Sequence, residues 1–171
     1  RGVVPTLEAL QQSKVVILGH QSRPGKSDFT SMSKHCDRLS QILGRPIRFV
    51  ADVCGDEAIE QIKNLSDGEI VFLDNVRGND EEYGIKYNSN MDTEDTEIVT
   101  RLSAVSDAFV TDAFAAAHRR SPTLTGFTKS LPCIAGTLME KEISSLRIAL
   151  KDPPSPYLAI LGGAKCDDSV R

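Results

Sequence analysis

The residues of this chain best suited to chemistry are cations placed directly behind hydrophobic runs. His20 and Arg23 follow Val15-Val16-Ile17-Leu18-Gly19. Arg77 follows Ile70-Val71-Phe72-Leu73-Asp74, and His118 and Arg119 follow Phe109-Val110-Thr111-Asp112. Arginine suits phosphate or carboxylate because its planar fork donates two parallel hydrogen bonds and keeps its charge. A single arginine behind a strand is ordinary surface. Three such sites, two of them with a histidine nearby, point to one place that holds an anion. The two imidazoles stay open between neutral donor, phosphate-binding cation and plain core residue.

A second candidate lies at Gly162-Gly163-Ala164-Lys165, where a lysine follows a glycine-rich strand exit. Backbone amides and an ammonium there can approach phosphate oxygens in transfer. The spacing is not that of a Walker A loop, and no GxGxxG fingerprint is present, so a nicotinamide-dependent oxidoreductase loses its main support.

The elements that must position these groups alternate. A short helix is expected over Thr6 to Ser13 with Pro5 at its start, then a strand over Lys14 to Gly19. Thr30 or Ser31 caps a helix with Met32, Cys36, Leu39 and Leu43 inward, ended by Gly44. Ile47 to Ala51 reads as a strand, Asp56 to Leu65 as a helix, and Glu69 to Leu73 as a strand. Gly78 to Asp95 is acidic and aperiodic, a solvated loop whose carboxylates lack an EF-hand spacing. A helix carrying Ile98, Leu102 and Val105 leads into a strand at Ala108, expected to be central and buried. Ser121 to Pro132 reads as loop, Thr137 to Leu150 as a long helix stopped by Pro153-Pro154, and Tyr157 to Leu161 as a last strand. This order gives an α/β fold: a Rossmann-like, three-layer parallel sheet with helices on both faces. Ligands of such sheets bind beyond the carboxyl ends of the strands, where all the cations above fall.

Composition limits the alternatives. The net charge of -4 argues against a broad nucleic-acid surface, so any anion site is local. No apolar run approaches the ~20 residues of a membrane span. Cys36, Cys54, Cys133 and Cys166 form no CxxC pair and read as scattered buried thiols of a reducing, cytoplasmic compartment. No metal ligand set is expected within the chain.

Five motifs in order resemble the phosphoglycerate kinase family. They are His20-Gln21-Ser22-Arg23-Pro24, Asp74-Asn75-Val76-Arg77, Thr111 to Arg119, Met139-Glu140-Lys141-Glu142, and Leu161-Gly162-Gly163-Ala164-Lys165. The resemblance covers essentially the whole chain. It implies the N-terminal domain of a two-domain, hinge-bending kinase of glycolysis and gluconeogenesis. Such an enzyme transfers phosphoryl reversibly between 1,3-bisphosphoglycerate with ADP and 3-phosphoglycerate with ATP. Substrate would be held by His20, Gln21, Ser22, Arg23, Arg77, His118 and Arg119. Gly162, Gly163 and Lys165 would meet the nucleotide, with Lys165 catalytic through charge neutralisation.

The same resemblance implies a triose-binding domain over 1–136 without its first strand, an interdomain helix over 137–152, and the start of a nucleotide domain over 157–171. The first strand and the family's catalytic arginine would precede Arg1. The ligand of Mg-ADP or Mg-ATP, and most of the nucleotide domain, would lie beyond Arg171. The segment alone is then expected to be inactive, and the lost first strand to leave a gap within the sheet. Ala115 replaces a family glycine, Ser121 a second histidine and Ser169 a lysine, variants similar to archaeal members. The alternative is a non-catalytic phospho-ligand module on the same fold, favoured by Ser169.

Overall fold

The structure, a computed structural model, describes residues 2–85, 91–151, 153–158 and 160. Strands β1 (Val15–Gly19), β2 (Arg48–Val50) and β3 (Ile70–Asn75) pair in parallel in the order β1-β3-β2. Strands β4 (Phe109–Thr111) and β5 (Cys133–Ala135) pair in parallel as a separate piece. β3 is therefore the central strand of the three-stranded piece, and the strand beginning near Ala108, expected to be central, is not part of that piece among the described residues. Ile70 to Leu73 are all buried, whereas β4, among the described residues, pairs along one side only and is half-buried.

Alternation along β3 builds the three layers, since successive side chains of a strand point to opposite faces. Val71 and Leu73 enter one core with Ala58 and Ile62 of α3 (Asp56–Lys63) and Ile98, Val99 and Leu102 of α5 (Glu97–Ser103). Ile70 packs with Leu7 of α1 (Val4–Ala9), and Phe72 with Met32 and with Cys36 of α2 (Ser33–Leu43). Val16 and Leu18 of β1 and Phe109 of β4 border the same core, although the two strands are not paired.

The helix signals meet the structure at most ends. Pro5 sits in the first turn of α1, and Gly44, at φ 67°, closes α2 in the left-handed conformation that glycine adopts without strain. The expected cap of α2 is shared. Ser31 Oγ accepts from the Ser33 amide at 3.2 Å, but the Met32 amide donates to Asp74 Oδ1, at 2.7 Å, from the end of β3.

Two stretches expected to be loops are ordered. The acidic stretch after Gly78 contains α4 (Asp80–Gly84), which starts because Asn79 Oδ1 accepts from the Glu81 and Glu82 amides. Glu82 and Ile85 there are buried. After Arg120 come α6 (Pro122–Thr125), a 3-10 turn over Gly126–Lys129, and β5. The helix α7 (Thr137–Lys151) then runs as expected. Cys133 is exposed, because β5 has a described strand on one side only; Cys36 and Cys54 are buried, and Cys166 lies outside the described residues. Tyr157, Leu158 and Ile160 are exposed and carry no strand; the rest of that expected strand lies outside the described residues.

Candidate anion-binding site

The site is assembled from three chain segments beyond the ends of β1, β3 and β4. At the first, the β1–β3 register shifts between Ile17 and Gly19, and the chain leaves the sheet at half-buried His20. The loop behind it is held locally. Ser22 takes φ 57°, while its hydroxyl donates to Asp28 Oδ1 at 2.5 Å and Gln21 Nε2 donates to the Asp28 carbonyl at 3.0 Å. Asp28 is kept below the usual carboxylate range, first by the Ser22 hydroxyl and then by a backbone amide, with the charges of Lys26 and Arg23 adding a smaller share. Arg23 itself is exposed.

At the second segment, β3 ends in Asn75, only 4% exposed, whose side chain knits the two exits together. Its Nδ2 donates to the carbonyls of Gln21 and Thr30, each at 2.9 Å, and its Oδ1 accepts from the amides of Gln21 and Arg77, each at 3.2 Å. Arg77 follows in a 3-10 turn, Val76–Gly78, with its guanidinium carbon 5.7 Å from the centre of the Tyr83 ring.

The third segment leaves β4, passes a 3-10 turn over Phe114–Ala116, and reaches His118 and Arg119, both exposed. The start of α6 just beyond is anchored by Glu82. Its Oε2 accepts from the Thr123 amide and its Oε1 from the Thr123 hydroxyl, each at 2.8 Å. Burial of Glu82 pushes its pKa up, against hydrogen bonds from Thr123 and Ser121 and the charge of Arg77.

His20, Arg77 and Arg119 share one electrostatic neighbourhood. Burial, then the charges of Arg77 and Arg119, hold the His20 imidazole below its usual value, so it is neutral at pH 7. Buried polar atoms without a protein partner gather there: His20 Nε2, Gln21 Oε1 and Arg77 Nε. Buried polar groups are normally paired, so the unpartnered ring nitrogen of His20 and Nε of Arg77, beside a second guanidinium, fit an anionic ligand, while Gln21 Oε1 can only accept and suits a ligand hydroxyl. Arg23 and His118 stand in the same loops, outside this cluster of buried atoms. Gly162, Gly163 and Lys165 lie outside the described residues.

A cleft of about 420 Å³ opens beside Asn75, lined by Thr30, Ser31, Asp52, Cys54, Asp74 and Asn79 among others. Its charged walls are carboxylates committed to backbone amides, those of Val53, Gly55 and Ala58 for Asp52 and of Met32 and Asn75 for Asp74. The candidate for an anion is the neighbouring cationic corner. Sequence reasoning alone does not single out Asn75, Tyr83 or Glu82 as members of the site. The spacing Asn79-x-x-Glu82 resembles a helix-start capping pattern and signals the start of α4, but not the reach of Glu82 to Thr123.

The molecule is of the parallel α/β class, whose ligands bind beyond the carboxyl ends of the strands, where these cations stand. The family described as phosphoglycerate kinase matches residues 1–171, and the chain belongs to that family. It is 43% identical over 170 residues to a phosphoglycerate kinase of Methanocorpusculum labreanum, covering 98% of this chain and 41% of that one. A phosphoglycerate kinase of Methanothermus fervidus is 47% identical over 160 residues, covering 94% of this chain and 38% of the relative. The crystal structure of phosphoglycerate kinase from Pyrococcus horikoshii superposes with a TM-score of 0.89 at 40% identity, over 98% of this chain and 42% of that one. The chain thus spans about two fifths of the length of the relatives it matches.

Proposed function

We propose that this chain supplies the triose-binding half of a phosphoglycerate kinase. The reaction is reversible phosphoryl transfer between 1,3-bisphosphoglycerate with ADP and 3-phosphoglycerate with ATP, in the cytoplasm. The observation that carries the reading is the corner where His20 Nε2 and Arg77 Nε are buried without protein partners, in the shared field of Arg77 and Arg119. Arginine forks there grip phosphate or carboxylate oxygens, and neutral His20 offers a further ring nitrogen. Gln21, Ser22, Arg23 and His118 line the loops that frame the ligand. Their work is binding and orientation, which dominates phosphoryl transfer because the reaction asks for little covalent chemistry from the protein.

The nucleotide side is proposed from the family alone. Phosphoglycerate kinases use ADP or ATP with magnesium. Gly162, Gly163 and catalytic Lys165 are assigned to it, and the magnesium ligand to chain beyond Arg171. Among the described residues, no three His, Cys, Asp or Glu side chains gather as a metal site. No helix among those residues is long and apolar enough to cross a membrane.

The domain reading is proposed in the same way: triose domain to 136, interdomain helix over 137–152, nucleotide domain from 157. Two features support it. β1 and β4 border one core without pairing, which suits a further parallel strand between them. Leu146, Ile148 and Leu150 of α7 are exposed, which suits a helix covered by more chain.

Calorimetric titration with 3-phosphoglycerate, with inorganic phosphate as control, tests the site. A steady-state assay of the full-length gene product with Mg-ATP and 3-phosphoglycerate tests the activity. Saturable binding stronger than that of phosphate, with turnover, supports the reading. Binding without turnover would establish the non-catalytic module instead.

A further inference from the structure

We infer that Asn75 is a positioning residue that fixes the Gln21–Thr30 loop relative to Arg77, so that one ligand can bridge the two segments. The inference rests on the phosphoglycerate-binding reading of the site. It starts from the use made of a single short side chain. A carboxamide carries two donor hydrogens and one acceptor oxygen with two lone pairs. In Asn75 all are engaged: Nδ2 with the carbonyls of Gln21 and Thr30, and Oδ1 with the amides of Gln21 and Arg77. The partners sit at both ends of the loop that carries Arg23 and at the turn that carries Arg77. No other residue type of that length presents two donors and a two-fold acceptor from one planar group.

The neighbouring Asp74 extends the clamp, since its Oδ1 accepts from the Met32 amide at 2.7 Å and from the Asn75 amide at 2.8 Å. Asn75 itself has no polar side-chain atom left over for a ligand. Its polar atoms are spent on backbone, whereas His20 Nε2, Gln21 Oε1 and Arg77 Nε close by have no protein partner. The carboxamide sets the distance between cationic groups that do the binding. A ligand with two anionic ends should depend on that distance. Inorganic phosphate in the same corner should depend on it less, since it has no second end to place.

The test is calorimetric titration of the full-length gene product with 3-phosphoglycerate and with inorganic phosphate, for wild type, Asn75→Ala and Asn75→Ser. Serine can still cap the Arg77 turn through its hydroxyl but cannot reach both loop carbonyls. It therefore guards against an alanine variant that does not fold. The expected result is a loss of 3-phosphoglycerate affinity of about tenfold to a hundredfold, the scale of displacing a binding group by ~1 Å. Phosphate affinity should fall clearly less, and exchange of the Gln21 amide proton should quicken. Equal loss for both ligands, or no change in their ratio, would overturn the positioning role. A wild-type protein with no preference for 3-phosphoglycerate over phosphate would instead overturn the functional reading beneath it.

Discussion

Two polar junctions stand at the strand ends of this molecule, and they are built to opposite ends. The first is the corner of His20, Asn75 and Arg77 described above. The second joins α1, β4 and α7 through Asp112, whose Oδ2 accepts from the Thr6 hydroxyl at 2.7 Å and whose Oδ1 accepts from the Met139 amide at 3.0 Å. Thr6 has one hydroxyl proton and gives it to Asp112. Its oxygen therefore accepts from the Thr137 hydroxyl at 2.8 Å and the Thr137 amide at 3.0 Å. The Asp112 carboxylate neutralises the positive end of the α7 dipole. Among the described residues, no buried atom left without a partner belongs to this junction, whereas three belong to the other. Saturated hydrogen bonding marks a joint. Polar atoms left unsatisfied beside charged guanidinium groups mark a candidate site.

The comparison breaks most visibly at the joint. Asp112→Ala should remove two charge-assisted hydrogen bonds and lower stability by about 3 kcal/mol, or roughly 10 °C in Tm. Gly136→Ala should act in the same place, because a Cβ at Gly136 would run into the Asp112 carboxylate. Neither substitution should change the affinity of the surviving folded protein for 3-phosphoglycerate. Thermal melts paired with calorimetric titration check both halves. A ligand defect in Asp112→Ala at full folding would erase the distinction between the two junctions.

Arg77→Ala should do the reverse. Its Nε has no protein partner, and the losses are the Tyr83 ring contact and the charge beside Glu82, so Tm should move by roughly 2 °C. The triose affinity should fall by about 2 kcal/mol, or roughly thirtyfold, with nucleotide affinity unchanged. Arg119→Ala should follow the pattern with a smaller loss, since Arg119 is exposed. Lysine at either position should rescue only in part, because it lacks the bidentate fork. Equal weakening of triose and nucleotide would reassign both arginines to folding.

How far these roles are legible in the sequence follows the same division. The cations show themselves because arginine and histidine behind an apolar run are conspicuous, and the apolar runs themselves locate β1, β3 and β4. The strand order does not show. An unbroken apolar run does not reveal whether it lies in the middle of a sheet, and Ile70 to Leu73 prove central only through pairing on both sides. Residues Cys133–Ala135 escape notice because three residues between Pro132 and Gly136 give no period to read. Glu82 reads as one more acid on a solvated loop. Its burial depends on Thr123, far along the chain, and local composition does not carry that information.

Titration sharpens the contrast within the site itself. His20 has a folded pKa below its unfolded value of about 6.5, through burial and then the charges of Arg77 and Arg119. Its contribution to stability is thus present above pH 6.5 and is lost as pH falls towards the folded value. A bound anion offsets the two arginine charges and raises that pKa. Binding should therefore take up part of a proton at His20, and the wild-type affinity for 3-phosphoglycerate, taken relative to His20→Gln at each pH because the ligand phosphate also titrates at about pH 6, should rise as pH falls below 6.5. A wild-type to His20→Gln affinity ratio that does not change with pH would remove His20 from the binding groups.

The smallest effect belongs to Glu82, and it has the opposite slope. Burial raises its folded pKa above the ordinary 4.5, so over that interval the folded state holds more proton than the unfolded one. Stability contributed by this group is full below pH 4.5 and is lost as pH rises through the folded value. Glu82→Gln removes the titrating charge and keeps an oxygen for the Thr123 amide, while its amide group can donate to the Thr123 hydroxyl. The variant should therefore lie within about 1 kcal/mol of wild type at neutral pH and lose the downward slope above pH 4.5. Because Glu82 holds the start of α6, shortly after Arg119, the glutamine should leave triose affinity nearly intact where alanine lowers it. Denaturant melts of both variants across that pH range, with calorimetry at neutral pH, separate the shape of the latch from its charge. A wild-type slope retained in Glu82→Gln would show that another group carries the titration.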